Sequence, residues 1–249
     1  MFLQGKRILF FSAHLFGYQN DIRLAMESVG AIVDYYDERP ANNFLVKGVI
    51  RINRNLLAGY INHYYNKIIK ETLQKEYDYV FFIKGESISA SNVRRLKQFH
   101  PEANFIIYHW DSIANNSNAQ NLLPYFDRVF SFDKIDCERL GLHFLPLFYT
   151  PDYANIPYYD KEIKYDMLFV GTTHSDRYKL VKRIEEQIIK MGGLCLTWFY
   201  FPSKILYYKM KIQNSYLRQI PVHTFHFKPM SKELLLQLYA GSRIIIDVQ

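Results

Sequence analysis

Short, continuous apolar segments alternate with segments of helical periodicity along the whole chain, and this alternation is the strongest constraint on its fold. Apolar runs at residues 8–11 and 79–83 are bounded by polar residues, and the stretch at 31–36 is apolar except for Asp34. Runs of this kind are typical of strands that are buried on both faces of a parallel sheet. The stretch at 21–29 instead repeats apolar residues with helical spacing, which indicates a crossover helix. The chain is therefore predicted to be an α/β protein with mostly parallel sheets.

The alternation is interrupted once and then starts again. Residues 149–164 carry Pro151 and Pro157 and show no sustained period, which is typical of a linker. We therefore predict two Rossmann-like domains, at 1–150 and 165–249, joined by a linker at 151–164. No helix follows the last apolar strand before Gln249. We expect the second domain to be incomplete and the native gene to continue, which mass spectrometry of the native protein would test.

The composition limits the classes of molecule that the protein is expected to bind. A formal net charge of +7 favours anionic partners. Lys and Arg are scattered and no zinc-finger, RRM or KH signature occurs, so nucleic acid is not an expected partner. No apolar run approaches the ~20 residues of a membrane span, and Cys137 and Cys195 are far apart, so a cytoplasmic protein is predicted. The Lys- and Tyr-rich stretch at 204–211 indicates either peripheral membrane contact or a solvated helix face.

Candidate phosphate-binding residues follow the first strand of the second domain. Ligands of open parallel sheets bind beyond the carboxyl ends of strands, where helix N-termini attract anions. The segment after this strand offers a small residue, two hydroxyls and a guanidinium: Gly171, Thr172, Thr173 and Arg177. A polar turn with Asp176 as the charge at a helix N-terminus explains the same residues. Neither a Walker A motif nor a GxGxxG motif is present, which argues against an NTPase and a dinucleotide oxidoreductase.

Candidate acid–base residues follow strands of the first domain. His109 and Asp111 leave one strand end, where a carboxylate beside an imidazole could act as a general base, or where the two could form a structural pair. His14 follows the first strand and either contacts an acceptor or closes its loop. Asp34 and Asp37 fit a solvated turn better than a metal site. No HExxH or GxSxG motif occurs, so no metal site and no serine hydrolase is predicted.

Four segments of the chain form a recognisable series: FSAH at 11–14, YHWDS at 108–112, YFDRVFSFD at 125–133 and YDMLFVG at 165–171. In this order they resemble bacterial GT-B glycosyltransferases, in particular CgeB-like proteins and those of lipopolysaccharide or capsular polysaccharide biosynthesis. The resemblance implies an N-terminal acceptor domain and a C-terminal domain for a nucleotide-sugar donor, with the substrates bound in a cleft between them. It also implies transfer without a cofactor or a bound metal.

The resemblance assigns roles to individual residues. The donor-phosphate loop would contain Gly171, Thr172, Thr173 and Arg177, and the loop at the nucleobase would run from Lys228 to Ser231. The acceptor side would be lined by His14, His109 and Asp111. In the family, a glutamate that binds the donor ribose follows the strand found here at 244–248. The sequence stops there, so weak donor binding or inactivity of this chain is expected.

The predicted function is transfer of a sugar from a nucleotide-sugar donor to a saccharide or lipid-linked acceptor in cell-surface polysaccharide synthesis. The protein would work in the cytoplasm or at the inner face of the membrane. Two alternatives remain open: a nucleotide-sugar epimerase of the same fold, and a non-catalytic two-lobed binding protein. Product analysis with and without acceptor separates the first, and calorimetry with nucleoside diphosphates separates the second.

Overall fold

The computed structural model describes residues 2–15, 17–115, 118–156, 162–173, 177–201, 203–213, 215–218 and 220–247. Two compact units make up the chain, Met1–Phe148 and Tyr149–Gln249. Each contains one parallel sheet with helices between its strands. The predicted α/β class with two Rossmann-like domains is confirmed, and the second sheet is the smaller one.

The N-terminal unit has six strands: β1 (Arg7–Ser12), β2 (Ile32–Asp37), β3 (Tyr79–Ile83), β4 (Asn104–His109), β5 (Arg128–Ser131) and β6 (His143–Phe144). Its helices are α1 (Tyr18–Ser28), α2 (Phe44–Asn53), α3 (Ala58–Thr72), α4 (Ala90–Phe99), α5 (Ala119–Leu122) and α6 (Lys134–Leu140). Short 3₁₀ turns complete it at Arg54–Leu57, Ile113–Asn115 and Leu123–Tyr125.

The strand order of the first sheet is β2-β1-β3-β4-β5-β6, and every pairing is parallel. The chain therefore moves to one side of β1 for β2 and to the other side for β3. Such a reversal creates a crevice at the carboxyl ends of the two diverging strands, which is where ligands bind in this class of sheet. In this unit the crevice lies between the ends of β1 and β3.

Both faces of this sheet are covered, as continuous apolar strands require. On one face Leu9, Phe11 and Phe82 pack in the larger core cluster with helix α3. On the other face Ile8 and Phe10 belong to a second cluster. The alternation follows from the strand geometry, since successive side chains point to opposite faces.

The C-terminal unit has four strands: β7 (Tyr165–Thr172), β8 (Cys195–Tyr200), β9 (Phe225–His226) and β10 (Ser242–Ile245). Its helices are α7 (Pro151–Ala154), α8 (Arg177–Lys190), α9 (Lys204–Gln213), α10 (Ser215–Arg218) and α11 (Lys232–Ala240). The parallel order β10-β7-β8-β9 places the first strand of the unit between the second and the fourth. This is the Rossmann order, and its crevice lies between the ends of β7 and β10.

One local prediction for this unit was wrong. The sequence at 222–227 predicts a strand, whereas the structure has a 3₁₀ turn, Val222–Thr224, directly after Pro221 and then the two-residue strand β9. The sequence at 204–217 predicts a single helix, and the structure describes α9 and α10 in this stretch, while Asn214 between them lies outside the described residues. The Arg218 guanidinium donates to the carbonyls of Lys211 and Ile212 at the end of α9. The predicted linker contains α7, which starts with Pro151 at its first turn, a favourable position for proline.

One strand of the N-terminal unit is shorter than predicted. The apolar residues at 144–147 predict a strand, but β6 ends at Phe144. Pro146 has no N–H to donate to a neighbouring strand, which explains the early end. Among the described helices, none has the length and apolar character needed to cross a bilayer.

Candidate functional site

Arg177 is fixed at the carboxyl end of the first strand of the C-terminal unit. Its Nη1 donates to the carbonyl of Thr172 at 3.3 Å and to the Oγ1 of the same residue at 3.1 Å. Thr172 ends β7, Thr173 is buried, and α8 begins at Arg177. The predicted loop residues His174, Ser175 and Asp176 lie outside the described residues. The Arg177 guanidinium and the Thr172 hydroxyl thus meet at the end of β7, beside the β7/β10 crevice.

Packing explains why position 171 is occupied by glycine. A Cβ at this position would lie 2.8 Å from Cζ of Phe169, so the ring of that residue occupies the space. Phe169 in turn belongs to the core of the unit. The glycine is therefore required by the packing of β7, in addition to the close backbone approach that the sequence predicts for it.

Lys228 and Ser231 lie at the start of the last helix. Ser231 Oγ accepts the backbone N–H of Leu234 at 3.3 Å and caps α11, as its sequence position indicated. Lys228 is exposed. No hydrogen bond or ion pair joins either residue to Arg177 in the part of the chain that the structure describes. Their assignment to the nucleobase loop stays a prediction.

His14 is held within its own loop. Its Nδ1 lies 2.9 Å from the side-chain nitrogen of Gln19, and its backbone N–H donates to Asp37 Oδ2 at 3.3 Å. Gln19 is buried and also accepts the backbone N–H of Leu15. These contacts close the loop after β1. The predicted contact of His14 with an acceptor stays a prediction.

His109 is a buried, neutral imidazole. It is 1% exposed, and burial lowers its pKa to about 4 against the opposing charges of Asp136 and Asp111 and a hydrogen bond with the backbone of Lys84. Its Nε2 has no hydrogen-bond partner among the described residues. A group with this pKa is uncharged at physiological pH, so His109 would act through position and hydrogen bonding rather than as a cation.

Asp111 is paired with a lysine from the neighbouring strand end. Its Oδ2 accepts from Lys84 Nζ at 2.6 Å, while the carboxylate remains half exposed. No hydrogen bond joins Asp111 to His109 within the described ranges. The two residues that leave β4 together therefore have different surroundings, one dry and neutral and the other solvated and ion-paired.

Lys84 connects Asp111 to a buried network of charged residues. Apart from Asp111, none of these residues was predicted from the sequence as a site residue. The Nζ of Lys84 is also 3.9 Å from Glu86 Oε1, and Glu86 forms an ion pair with the buried guanidinium of Arg39. The backbone N–H of Glu86 donates to Oε1 of Glu38 at 3.2 Å. Lys84 has a φ of 71°, a left-handed conformation that is uncommon for a residue with a side chain. Such local strain is often found at functional sites.

Glu38 is the most deeply buried acid of this network. Burial and the charge of Glu86 raise its pKa to about 8, against the opposing effect of Arg39 and Lys84. Its carbonyl accepts the hydroxyls of Ser87 and Tyr65. The network thus joins the chain segments that follow β2, β3 and β4. Charged residues directly after apolar strands, at 37–39 and 84–86, are the sequence signal that could have identified it.

The described residues contain no group of three or more His, Cys, Asp or Glu side chains arranged to hold a metal ion. Charged and polar side chains instead cluster at the carboxyl ends of the two parallel sheets. The fold and these clusters define a protein with two Rossmann-type α/β units, each with its own candidate site at a strand-order reversal.

No family model and no curated protein matches the sequence. Among solved structures, MurG from Acinetobacter baumannii aligns with 96% of this chain and 72% of its own, at 12% identity and a TM-score of 0.46. A protein from Clostridium difficile 630 assigned as a transcriptional regulator aligns with 87% of this chain and 57% of its own, at 11% identity and a TM-score of 0.36. The fold class rests on the strand orders and parallel registers of the chain itself.

Proposed function

We propose that the protein is a glycosyltransferase that moves a sugar from a nucleotide-sugar donor to a saccharide or lipid-linked acceptor in the synthesis of a cell-surface polysaccharide. The observation that carries the proposal is the position of Arg177, held on the last residue of β7 beside the β7/β10 crevice. The resemblance of the sequence to CgeB-like and lipopolysaccharide glycosyltransferases supports the same assignment.

The C-terminal unit would bind the donor. When the bond between the sugar and the nucleotide breaks, negative charge develops on the departing diphosphate. Arg177, at the start of α8, provides positive charge for this oxygen-rich group without a metal ion. Thr172 and Thr173 add hydroxyl groups at the same strand end. These residues would lower the barrier by stabilising the leaving group.

The N-terminal unit would bind the acceptor and remove its proton. In the proposed reaction an acceptor hydroxyl attacks the anomeric carbon, the bond to the diphosphate breaks, and the hydroxyl proton passes to the Asp111 carboxylate. Lys84 holds this carboxylate through their ion pair, and Asp111 is solvated enough to meet an acceptor. Neutral His109, hydrogen-bonded to the backbone of Lys84, would help to hold the strand end in place.

Calorimetry with a panel of nucleoside diphosphates, followed by product analysis with the matching nucleotide-sugar, tests the proposal. We expect one diphosphate to bind, and sugar to be transferred only when a glycan or lipid-linked acceptor is present. Isomerised donor without acceptor would assign an epimerase instead. A protein that binds no nucleoside diphosphate would contradict the proposal and favour a non-catalytic binding protein.

A further inference from the structure

Helix α9 carries an exposed apolar stripe on the side that faces away from the core. Ile205, Tyr208 and Ile212 are 78%, 54% and 74% exposed. Because a helix turns through about 100° per residue, positions i, i+3 and i+7 lie on one narrow face. Tyr207 of the same helix is fully buried, and Met210 packs against the core of the unit. The stripe is therefore an outward face that this unit leaves in water.

Lysines flank the stripe on both sides. Lys204 and Lys209 are exposed, and helical spacing places them at opposite edges of the stripe. Lys211 lies further around, with Nζ 5.6 Å from the centre of the Tyr207 ring. None of the three lysines forms an ion pair with an acidic side chain in the part of the chain that the structure describes. Their positive charge therefore remains uncompensated.

The sequence around α9 explains this excess of charge. Residues 187–232 contain no Asp and no Glu. The same segment contains seven basic residues: Lys190, Lys204, Lys209, Lys211, Arg218, Lys228 and Lys232. This equals the formal net charge of +7 of the whole chain. The positive field of the protein is concentrated in the segment that contains the apolar stripe.

We propose that α9 docks on the surface of an anionic lipid bilayer, with Ile205, Tyr208 and Ile212 inserted at headgroup level and Lys204 and Lys209 against lipid phosphates. A helix with an apolar stripe between lysines fits the plane of a bilayer interface, because the side chains between the lysines can leave water while the ammonium groups stay at the phosphates. Tyrosine is favoured at this depth. A nucleic acid would satisfy the lysines but would leave the two isoleucines exposed. The proposal goes beyond glycosyl transfer and does not depend on it.

Vesicle flotation of the full chain tests the proposal, without donor or acceptor. We expect binding to vesicles of phosphatidylcholine mixed with phosphatidylglycerol, little binding to phosphatidylcholine alone, and weaker binding as salt increases. The double variant Ile205→Ser/Ile212→Ser should lose at least about tenfold in partitioning, because two inserted apolar side chains are removed. The variant Lys204→Gln/Lys209→Gln should lose on the order of fivefold for each lysine.

A matched control comes from another helix of the same unit. Ile189 and Lys190 are an exposed isoleucine and lysine at the end of α8, and Ile189→Ser/Lys190→Gln should partition like the unchanged protein. Circular dichroism checks that each variant is folded. Three results would overturn the proposal: no binding of the unchanged chain to anionic vesicles, equal partitioning of the isoleucine variant, or binding to duplex DNA in the absence of vesicle binding. Intact nucleotide binding by the α9 variants would show that any loss is independent of the donor site.

Discussion

Arg177 shows how one side chain can be fixed by the strand that it follows. Its guanidinium uses Nη1 on Thr172, so its position is set by the end of β7 before any ligand arrives. The planar group has five N–H donors in total. The N–H donors that are not used on the strand end would be available to the diphosphate of the proposed donor, and the fixed geometry would reduce the entropy lost on binding.

The replacement Arg177→Ala should weaken binding of the nucleotide-sugar by more than about tenfold, because a charge-assisted contact with the diphosphate is lost. Calorimetry with the donor and the initial rate of transfer measure the effect. Arg183→Ala is the matched control, since Arg183 is an exposed arginine further along the same helix. Equal affinities of the Arg177 variant and the unchanged protein would remove this residue from the donor site.

The ion pair of Asp111 is a contact that could not be predicted from the sequence. His109 and Asp111 are neighbours in the sequence, which suggested that they act as a pair. The partner of Asp111 is instead Lys84, which follows β3 and whose backbone N–H donates to the carbonyl of Tyr108. A contact of this kind depends on which strands are adjacent in the sheet. Local sequence patterns contain no information about that adjacency.

Helix α4 shows which features of a helix can be predicted from its own residues. Ser89 and Ser91 both suit a helix N-terminus, and the structure selects Ser89, whose Oγ accepts the backbone N–H of Asn92 at 3.2 Å. Val93 and Leu96 of this helix are fully buried in the core. Periodicity and capping were sufficient to predict such helices. Short strands such as β9 were mispredicted because an apolar segment does not reveal how many of its residues will pair.

Replacing the cap with Ser89→Ala should lower the free energy of unfolding by about 1 kcal/mol, because one backbone N–H of the first turn loses its acceptor. Urea denaturation followed by circular dichroism measures the change. Ser91→Ala serves as the control, since Ser91 bonds the Ser89 hydroxyl but caps no backbone group. A loss in the Ser91 variant as large as in the Ser89 variant would contradict this assignment.

At the scale of the whole molecule, the two parallel sheets were predictable because buried strands leave continuous apolar runs in the sequence. The network of Glu38, Arg39 and Glu86 could not be predicted from the sequence, because Arg39 and Glu86 are 47 positions apart. Its members meet only after β2 and β3 have both paired with β1. The physical requirement is local charge compensation in a buried site, which is visible only in three dimensions.

The raised pKa of Glu38 predicts how stability depends on pH. The folded chain keeps the proton up to about pH 8, whereas an unfolded carboxyl releases it near its ordinary value of 4.5. The folded state therefore binds more protons than the unfolded state between these values, and stability should fall as pH rises through this window. The Glu38→Gln variant, which is neutral at every pH, should show a smaller decline.

Urea denaturation across this pH range measures the effect in a Trp198→Phe background. The remaining tryptophan, Trp110, then reports on the N-terminal unit, because the chain contains two tryptophans. The exposed Glu138 provides the control variant Glu138→Gln. If Glu38→Gln follows the same pH dependence as the unchanged protein, Glu38 is not the titrating group.

The charged network after β2, β3 and β4 has a consequence for how this protein can diverge or be engineered. Because Arg39, Glu86, Lys84 and Asp111 neutralise one another across three connections, exchanging one connection with that of a relative leaves a buried charge without its counterion. Chimeras that transplant a single loop should fold poorly, whereas those that transplant all three together should fold. Any change of ligand preference at this edge is therefore expected to require replacement of all three connections together.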